Sequence, residues 1–406
     1  MVNRWLVLSC FVISFSFGLG IRIGKNIRLG EIPDSDVAIA STNPSTNQIQ
    51  AIPVSSPAPA FQLSQEIDSP EPEFLPTPTL EDYTISDTIT IQAVGDVIPG
   101  TNFPNYRLPR DKNQLLPKSV RAYLARADIL FGNFESSLTK HRYSAKDISR
   151  GQTFAFRSPP SYAQLFADVG FDVFNIANNH ALDFGVVGFR DTVNNLNSVG
   201  IETLGHKNQI LYFGVHNSTI AMIGFAPYNS YNSIFDLEAA KALVKTAKSQ
   251  ANIVIVSMHA GAEGTSALNV KNKTEFFFGE NRGNSIKFAR TVIDAGADLV
   301  LGHGPHVPRA MEIYKGKLIA YSLGNFIGYR TLSTQAETGY SMILEVKLNS
   351  QGDLVGGQVI PVRLNKQGIP YIDQRFRTVA LLRYLIRNDF PNNQVEIDKD
   401  GKIVVN

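Results

Sequence analysis

Short apolar runs recur along this chain, and the polar residues between them change period. Residues 88–94, 129–131, 173–176, 253–256, 299–301 and 318–321 are dominated by Val, Ile, Leu, Phe and Ala and are mostly followed by Gly, Asn or Asp. Runs of that length and texture predict strands. Helical spacing fills most of the intervals. Ser158 ahead of Pro159-Pro160 reads as an N-cap with proline in the first turn, before Tyr162, Leu165 and Phe166. Asp236 is placed to cap residues 237–248. Either Asn284 or Ser285 opens a helix through Ile286, Phe288, Val292 and Ile293 towards Gly296. Residues 211–215 and 219–225, split by His216-Asn217-Ser218, predict a β-hairpin. Strands alternating with helices predict a layered α/β fold, and no fixed-period repeat is present.

Both ends of the chain break this pattern. Residues 5–21 contain no charge and are flanked by Arg4 on one side and Arg22, Lys25 and Arg28 on the other. Such a stretch is at the short end of what spans a bilayer. A cleaved signal peptide and an uncleaved anchor are the two readings. Gly18-Leu19-Gly20 runs straight into Ile21-Arg22 without a small-x-small cleavage site, so residues 1–28 are read as a signal anchor, a single transmembrane helix. The positive-inside rule alone would set its basic C-terminal flank in the cytoplasm. Residues 29–85 read as a disordered, acidic, Pro-rich linker: residues 31–85 hold nine acids, nine prolines, no Lys or Arg and no glycine. Past residue 375, residues 379–386 predict a short amphipathic helix and Asp398-Lys-Asp-Gly401 a turn before residues 402–405. That tail is read as a C-terminal appendage, residues 376–406, to a domain spanning 86–375.

Charge and cysteine content narrow the chemistry. The net charge of +2 over 406 residues is a cancellation: residues 1–30 carry +4, residues 31–85 carry −9 and residues 86–406 carry +7. No basic run argues for nucleic acid. The single cysteine, Cys10, excludes an internal disulfide framework and thiolate-rich metal sites. No P-loop and no G-x-S-x-G elbow occurs.

Polar residues cluster just after the strands. Asp96 follows the first, Asn133 and Glu135 the second, and Asn178, Asn179 and His180 the third, with Asp183 close behind. His259 and Glu263 follow residues 253–258, His303 and His306 follow Leu301, and Asn325 follows residues 321–324. Each has an ordinary explanation when taken singly: a turn at Gly95-Asp96, left-handed backbone at Asn178-Asn179, a hydrogen-bonded core imidazole at His259. The repetition, strand after strand, is what argues for a site. Open α/β sheets bind ligands beyond the carboxyl ends of their strands, and an oxygen and imidazole donor set suits a divalent metal. Four of the seven histidines fall in these runs.

The motifs Val94-Gly-Asp-Val-Ile98, Gly132-Asn-Phe-Glu135, Asn178-Asn-His-Ala-Leu-Asp-Phe-Gly185, His259-Ala-Gly-Ala-Glu263, Gly302-His-Gly-Pro-His-Val307 and Ser322-Leu-Gly-Asn-Phe-Ile327 occur in that order. As a set they resemble the CapA family of poly-gamma-glutamate capsule-synthesis proteins, which is similar to calcineurin-like metallophosphoesterases. The resemblance covers roughly residues 86–370. It implies a four-layer α/β/β/α sandwich of metallophosphoesterase type on a membrane-anchored, extracytoplasmic chain. It implies Asp96, Asn133, Glu135, Asn179, His259, His303 and His306 as metal ligands, with Mn, Zn or Fe as the ion. His180 would meet the leaving group, oriented by Asp183, and Asn178, Glu263 and Asn325 would bind substrate. The phosphoesterase Asp-x-His is here Asp96-Val-Ile98 and its His-x-His is His303-x-x-His306, so the number of ions is not fixed by the motifs.

Two functions follow from the resemblance. One is a membrane-anchored capsule biosynthesis protein with a metal-binding cleft. The other is a non-catalytic accessory subunit that binds or helps export an anionic polymer. Either would work with other membrane-bound capsule synthesis and export subunits, on the anionic polymer and not on nucleic acid.

Overall fold

The computed structural model describes residues 88–404 apart from 126 and 152. The expected anchor and acidic linker lie outside the described residues. Among those residues no helix is long and apolar enough to cross a membrane.

Two mixed sheets form the centre. The first runs, edge to edge, through Glu396–Ile397, Lys402–Val404, Leu354–Leu364, Tyr340–Leu348, Ile89–Ile98, Ile129–Phe134, Val173–Asn175 and Glu202–Leu204. The second runs Met311–Tyr314, Lys317–Ala320, Leu299–His303, Ile253–His259, Ser218–Ala226 and Leu211–Val215. The expected hairpin closes one edge of it, Leu211 opposite Met222 and Val215 opposite Ser218. Ile253–His259 and Leu299–His303 lie parallel at the middle and are buried throughout, as their unbroken apolar runs require.

Alternation along the first sheet separates two cores. Ile89, Ile91, Ala93, Ile129 and Phe131 face inwards and share one core with Met222, Val256 and Leu301 of the second sheet. Val94, Leu130, Phe134 and Phe174 face outwards onto Val120, Leu124, Leu165 and Phe166 of the helices Lys118–Leu124 and Tyr162–Val169. The second sheet carries the helices Leu237–Lys248 and Ser285–Asp294, whose Ala240, Val244, Phe288 and Val292 are buried against it. The chain is therefore a mixed α/β fold in which two sheets meet and helices cover them. The last residues belong to the same body: Val379, Leu382 and Leu385 of the helix Arg377–Asp389 enter the inner core, and Lys402–Val404 pairs with Leu354–Leu364.

Caps follow the sequence in two places and depart from it in a third. Asp236 Oδ1 accepts from the Ala239 N–H at 3.0 Å, and Asn284 Oδ1 accepts from the Lys287 N–H at 2.9 Å, which settles Asn284 over Ser285 as the cap. Ser158 is not an N-cap. Its hydroxyl donates to the Gly100 carbonyl at 3.0 Å, the carbonyls of Pro159 and Pro160 accept from Tyr162 and Ala163, and the helix starts at Tyr162 after Ser161. The Pro-Pro pair forms a turn before the helix.

The strand Ile89–Ile98 is held on both sides of its carboxyl end. Asn325–Gly328 pairs with it in parallel, aligning Asp96 with Asn325, and Ile129–Phe134 aligns Asp96 with Asn133. The Gly324 carbonyl accepts from the Asp96 N–H at 2.9 Å. A Cβ at position 95 would lie 1.9 Å from that carbonyl oxygen, so only glycine lets the two segments meet. Gly95→Ala is expected to cost at least about 2 kcal/mol of stability by overpacking, read as a lowered unfolding midpoint in denaturant. A midpoint unchanged from the parent would refute the role given to this contact.

Candidate functional site

Because both sheets direct parallel strands to the same seam, residues far apart in sequence become neighbours. Asp96 and Asn133 arrive from the first sheet and are fully buried; Asn133 Nδ2 donates to Asp96 Oδ1 at 2.9 Å. The same Nδ2 lies 3.4 Å from His259 Nδ1, which comes from the second sheet. His303 aligns with His259 in register. The chain then turns through Gly304, φ +104°, where a Cβ would sit 2.9 Å from His259 Nε2, and reaches His306 in left-handed backbone, φ +58°. A non-glycine residue held there is a strained position of the kind that collects at functional sites.

His306 is gripped from one side and free on the other. Its Nδ1 is 2.8 Å from Asn325 Oδ1 and 3.1 Å from Asp96 Oδ2. Its Nε2 points between carboxylates, 3.8 Å from Glu135 Oε1 and 3.7 Å from Glu263 Oε2. An imidazole whose one nitrogen is fixed by oxygen acceptors offers the other as a ligand. Ligand atoms of Asp96, Glu135 and His306 all lie within 4.8 Å of one another.

Electrostatics mark this cluster as incomplete. Glu135 is fully buried and neither of its oxygens has a hydrogen-bond donor; His259 Nε2 is likewise buried without a partner. Burial, then the neighbouring charges of Asp96 and Glu263, push the Glu135 carboxyl well above its ordinary range against the pull of His306. Burial also raises Asp96, but the hydrogen bond and charge of His306 outweigh it and hold Asp96 down at about 2. Burial would depress His306, yet Glu135, Asp96 and Glu263 together lift it to about 10. Burial drives His259 well below its usual value, so it is a neutral imidazole. Three acidic groups thus converge on one imidazole: a proton on His306 balances Asp96, Arg282 pairs with Glu263, and burial holds Glu135 towards its neutral acid. A divalent cation fits the same donors.

The remaining expected residues take different places. His303 is buried, with burial lowering its pKa, and its Nε2 donates to the Val94 carbonyl at 3.1 Å, leaving Nδ1 without a partner. It ties the two sheets together. Asn178 uses its side chain on the scaffold: Nδ2 donates to Asn133 Oδ1 at 3.2 Å and the Phe134 carbonyl at 2.9 Å, and Oδ1 accepts from the His180 N–H. Asn179 is half-buried and its Oδ1 has no partner. Asn325 orients His306, with its Nδ2 given to the carbonyls of His306 and Thr338. Glu263 pairs with Arg282 at 2.9 Å.

His180 and Asp183 form a dyad of their own. His180 Nδ1 lies 2.9 Å from Asp183 Oδ2, which also accepts from the Phe156 N–H at 2.7 Å. Lys146 Nζ sits 2.6 Å from the other Asp183 oxygen. Burial, with Lys146 adding to it, lowers His180 despite Asp183, so the ring is neutral at pH 7 with Nδ1–H on Asp183 and Nε2 available to move a proton.

Sequence patterns pointed to neither Lys146 nor Arg282, which lie on segments without an apolar period. Asn175, whose Nδ2 donates to Asn133 Oδ1 at 2.9 Å, was absorbed into its strand as a pleat position; the Asn175-x-x-Asn178 spacing was its available signal.

The family model described as bacterial capsule synthesis protein PGA_cap matches residues 90–330. The PGA biosynthesis protein CapA of Bacillus subtilis (strain 168) is 28% identical over 268 residues, covering 62% of this chain and 66% of that protein. The capsule biosynthesis protein CapA of Bacillus anthracis is 25% identical over 265 residues, 60% of each chain. A probable polyglutamine synthesis accessory protein of Mycobacterium tuberculosis is 26% identical over 283 residues, 61% of this chain and 69% of that one. The chain thus spans just under two thirds of the Bacillus relatives it matches. Among solved structures, Haemophilus influenzae NAD nucleotidase aligns at TM-score 0.39 and 14% identity, covering 73% of this chain and 55% of that one. A 5'-nucleotidase precursor from Thermus thermophilus aligns at 0.40 and 12%, covering 74% and 59%. With its motifs in order and more than half its length matched, this chain belongs to the bacterial capsule synthesis family PGA_cap.

Proposed function

We propose that this chain is a membrane-anchored protein of poly-gamma-glutamate capsule synthesis, with a divalent-metal cleft of metallophosphoesterase type at the seam of its two sheets. The observation that carries the reading is Glu135, a fully buried carboxylate with no donor, beside Asp96 and His306. Burial holds this carboxyl towards its neutral acid, and a cation among the same donors would let it ionise. Asp96, Glu135 and His306 would hold the ion, with Asn133, His259 and Asn179 around them. A bound Mn, Zn or Fe would polarise an acyl or phosphoryl oxygen and make a nucleophile from water. His180, held by Asp183, would move the proton at its Nε2. The globular part would lie outside the cytoplasm, beside other membrane-bound synthesis and export subunits.

The second reading is a non-catalytic accessory subunit that binds or helps export the polymer. It is favoured by Ile98, fully buried and apolar where metallophosphoesterases place an imidazole. His180→Ala separates the two in capsule-forming cells. The catalytic reading expects polymer production to be abolished while bound metal stays; the accessory reading expects production to continue.

Elemental analysis of the purified chain is expected to find manganese, zinc or iron, reduced at least about tenfold in Glu135→Gln and His306→Ala. A wild-type chain that binds none of the three defeats the metal cleft. In the metal-free protein His306 has a folded pKa raised to about 10 from 6.5. Its pairing therefore stabilises fully below 6.5 and is lost as pH rises through about 10. Chelated protein should lose thermal stability over that interval and metal-loaded protein should not, as measured by melting curves in parallel buffers. Coincident curves would contradict the shared occupancy of the site by proton and metal.

A further inference from the structure

The positive charge of the folded region is not spread evenly. Residues 97–110 and 139–157 together hold seven Lys or Arg (Arg107, Arg110, Lys140, Arg142, Lys146, Arg150 and Arg157) and one acid, Asp147. Their net +6 is nearly the whole +7 of residues 86–406. The fold joins the two segments. The Asn102 N–H donates to the Arg157 carbonyl at 2.8 Å and the Arg157 N–H to Thr101 Oγ1 at 3.1 Å. The Arg157 guanidinium bonds Asn102 Oδ1 at 2.7 Å and the His141 carbonyl at 2.5 Å, and lies over the rings of Phe103 and Phe184.

This rim borders the proposed cleft. Ser144 and Ala145 bond the Asp183 carbonyl, and Lys146 contacts the Asp183 carboxylate. Phe156 covers the His180 ring at 4.5 Å between centroids and stacks on Phe154, which is 56% exposed. Between the two segments lies a cavity of about 160 Å³ whose walls include Thr101, Phe103, Asn105, Arg107, Phe154 and Phe156. Arg107, Lys140 and Arg142 are exposed and make no ion pair among the described residues.

We propose that these joined loops are the docking strip for a flexible polycarboxylate, leading it across the exposed Phe154 towards His180, whose ring the buried Phe156 covers. The inference rests on the cleft reading above and adds the surface that holds the chain outside it. A γ-linked glutamyl chain repeats two methylenes and one carboxylate, which matches the exposed face of Phe154 beside unpaired cations. The cavity is smaller than the several hundred Å³ of ordinary small-molecule sites, so it suits one short side group and not a nucleotide. Cations with no internal carboxylate keep their attraction for an external polyanion, and that attraction weakens with salt.

Fluorescence anisotropy of labelled poly-gamma-glutamate with the full chain, over a series of salt concentrations, tests the strip. Wild-type binding should weaken steeply with salt. The Lys140→Glu/Arg142→Glu variant should bind at least about tenfold more weakly, since reversing two exposed cations removes both contacts and adds repulsion. Lys241→Glu/Lys245→Glu, on the helix Leu237–Lys248, should bind as wild type does. Unchanged affinity in the first pair, equal loss in the second, or equally tight binding of an oligothymidylate of matched charge would each overturn the proposal. Bound metal is measured in the same samples. A chain that binds polymer through the strip but no metal defeats the cleft and leaves the strip standing. A chain that binds metal but no polymer does the reverse.

Discussion

Everything at the seam between the sheets follows from one constraint: charge taken out of water has to be balanced where it lies. Asp96 and Glu135 are both fully buried, and they stand at strand ends that the hydrophobic cores fix in place. Neither can turn towards solvent. Asn133 gives Asp96 a donor, the His306 ring faces its other oxygen at 3.1 Å, and Glu135 receives no donor. The surrounding amides, Asn175 and Asn178, spend their donors on Asn133 and so hold the donor that Asp96 needs. The result is a rigid cup with an oxygen-rich interior, and its rigidity comes from the same hydrogen bonds that leave it short of positive charge.

Much of this was legible in the sequence because the fold uses strands buried on both faces. Most of the strands that end at the seam announce themselves as apolar runs, whereas Tyr340–Leu348 and Leu354–Leu364, with charged or polar residues interleaved, do not. A polar residue directly after an apolar run has nowhere to go but the sheet's end. Asp96, Glu135, His259, His303 and His306 were found that way. What could not be read was how each of them is used. His303 and His306 are three residues apart, yet left-handed backbone at His306 and a positive-φ glycine at 304 send one ring to a backbone carbonyl and the other among carboxylates. Backbone sign is invisible in residue order at a histidine. Lys146 and Arg282 escaped for a different reason: Lys146 sits in an irregular segment and Arg282 in the short polar strand Glu280–Gly283, and neither has an apolar run to place it beside its partner, Asp183 or Glu263.

Ser158 illustrates the opposite error. A serine before two prolines satisfies a local rule for starting a helix, but its hydroxyl meets the Gly100 carbonyl of a distant segment and the helix begins later. Local capping chemistry is worth about 1 kcal/mol, little enough for a tertiary hydrogen bond to redirect it. That same contact helps to fasten the two cationic segments to each other. A local misreading and a surface feature thus have a common physical origin.

The pairing of Ile89–Ile98 with Tyr340–Leu348 and with Asn325–Gly328 has a consequence for how the molecule comes into being. The strand bearing Asp96 is made early and finds its two partners only after more than two hundred further residues have been added. Closing so long a loop is entropically slow and keeps the edge opposite Ile129–Phe134 open in the meantime. Asp96 and His306 therefore meet late, and until they do the chain has no cup to offer an ion. Maturation of the site is tied to completion of the sheet, so a fragment ending before residue 340 would leave the strand without its antiparallel neighbour Tyr340–Leu348.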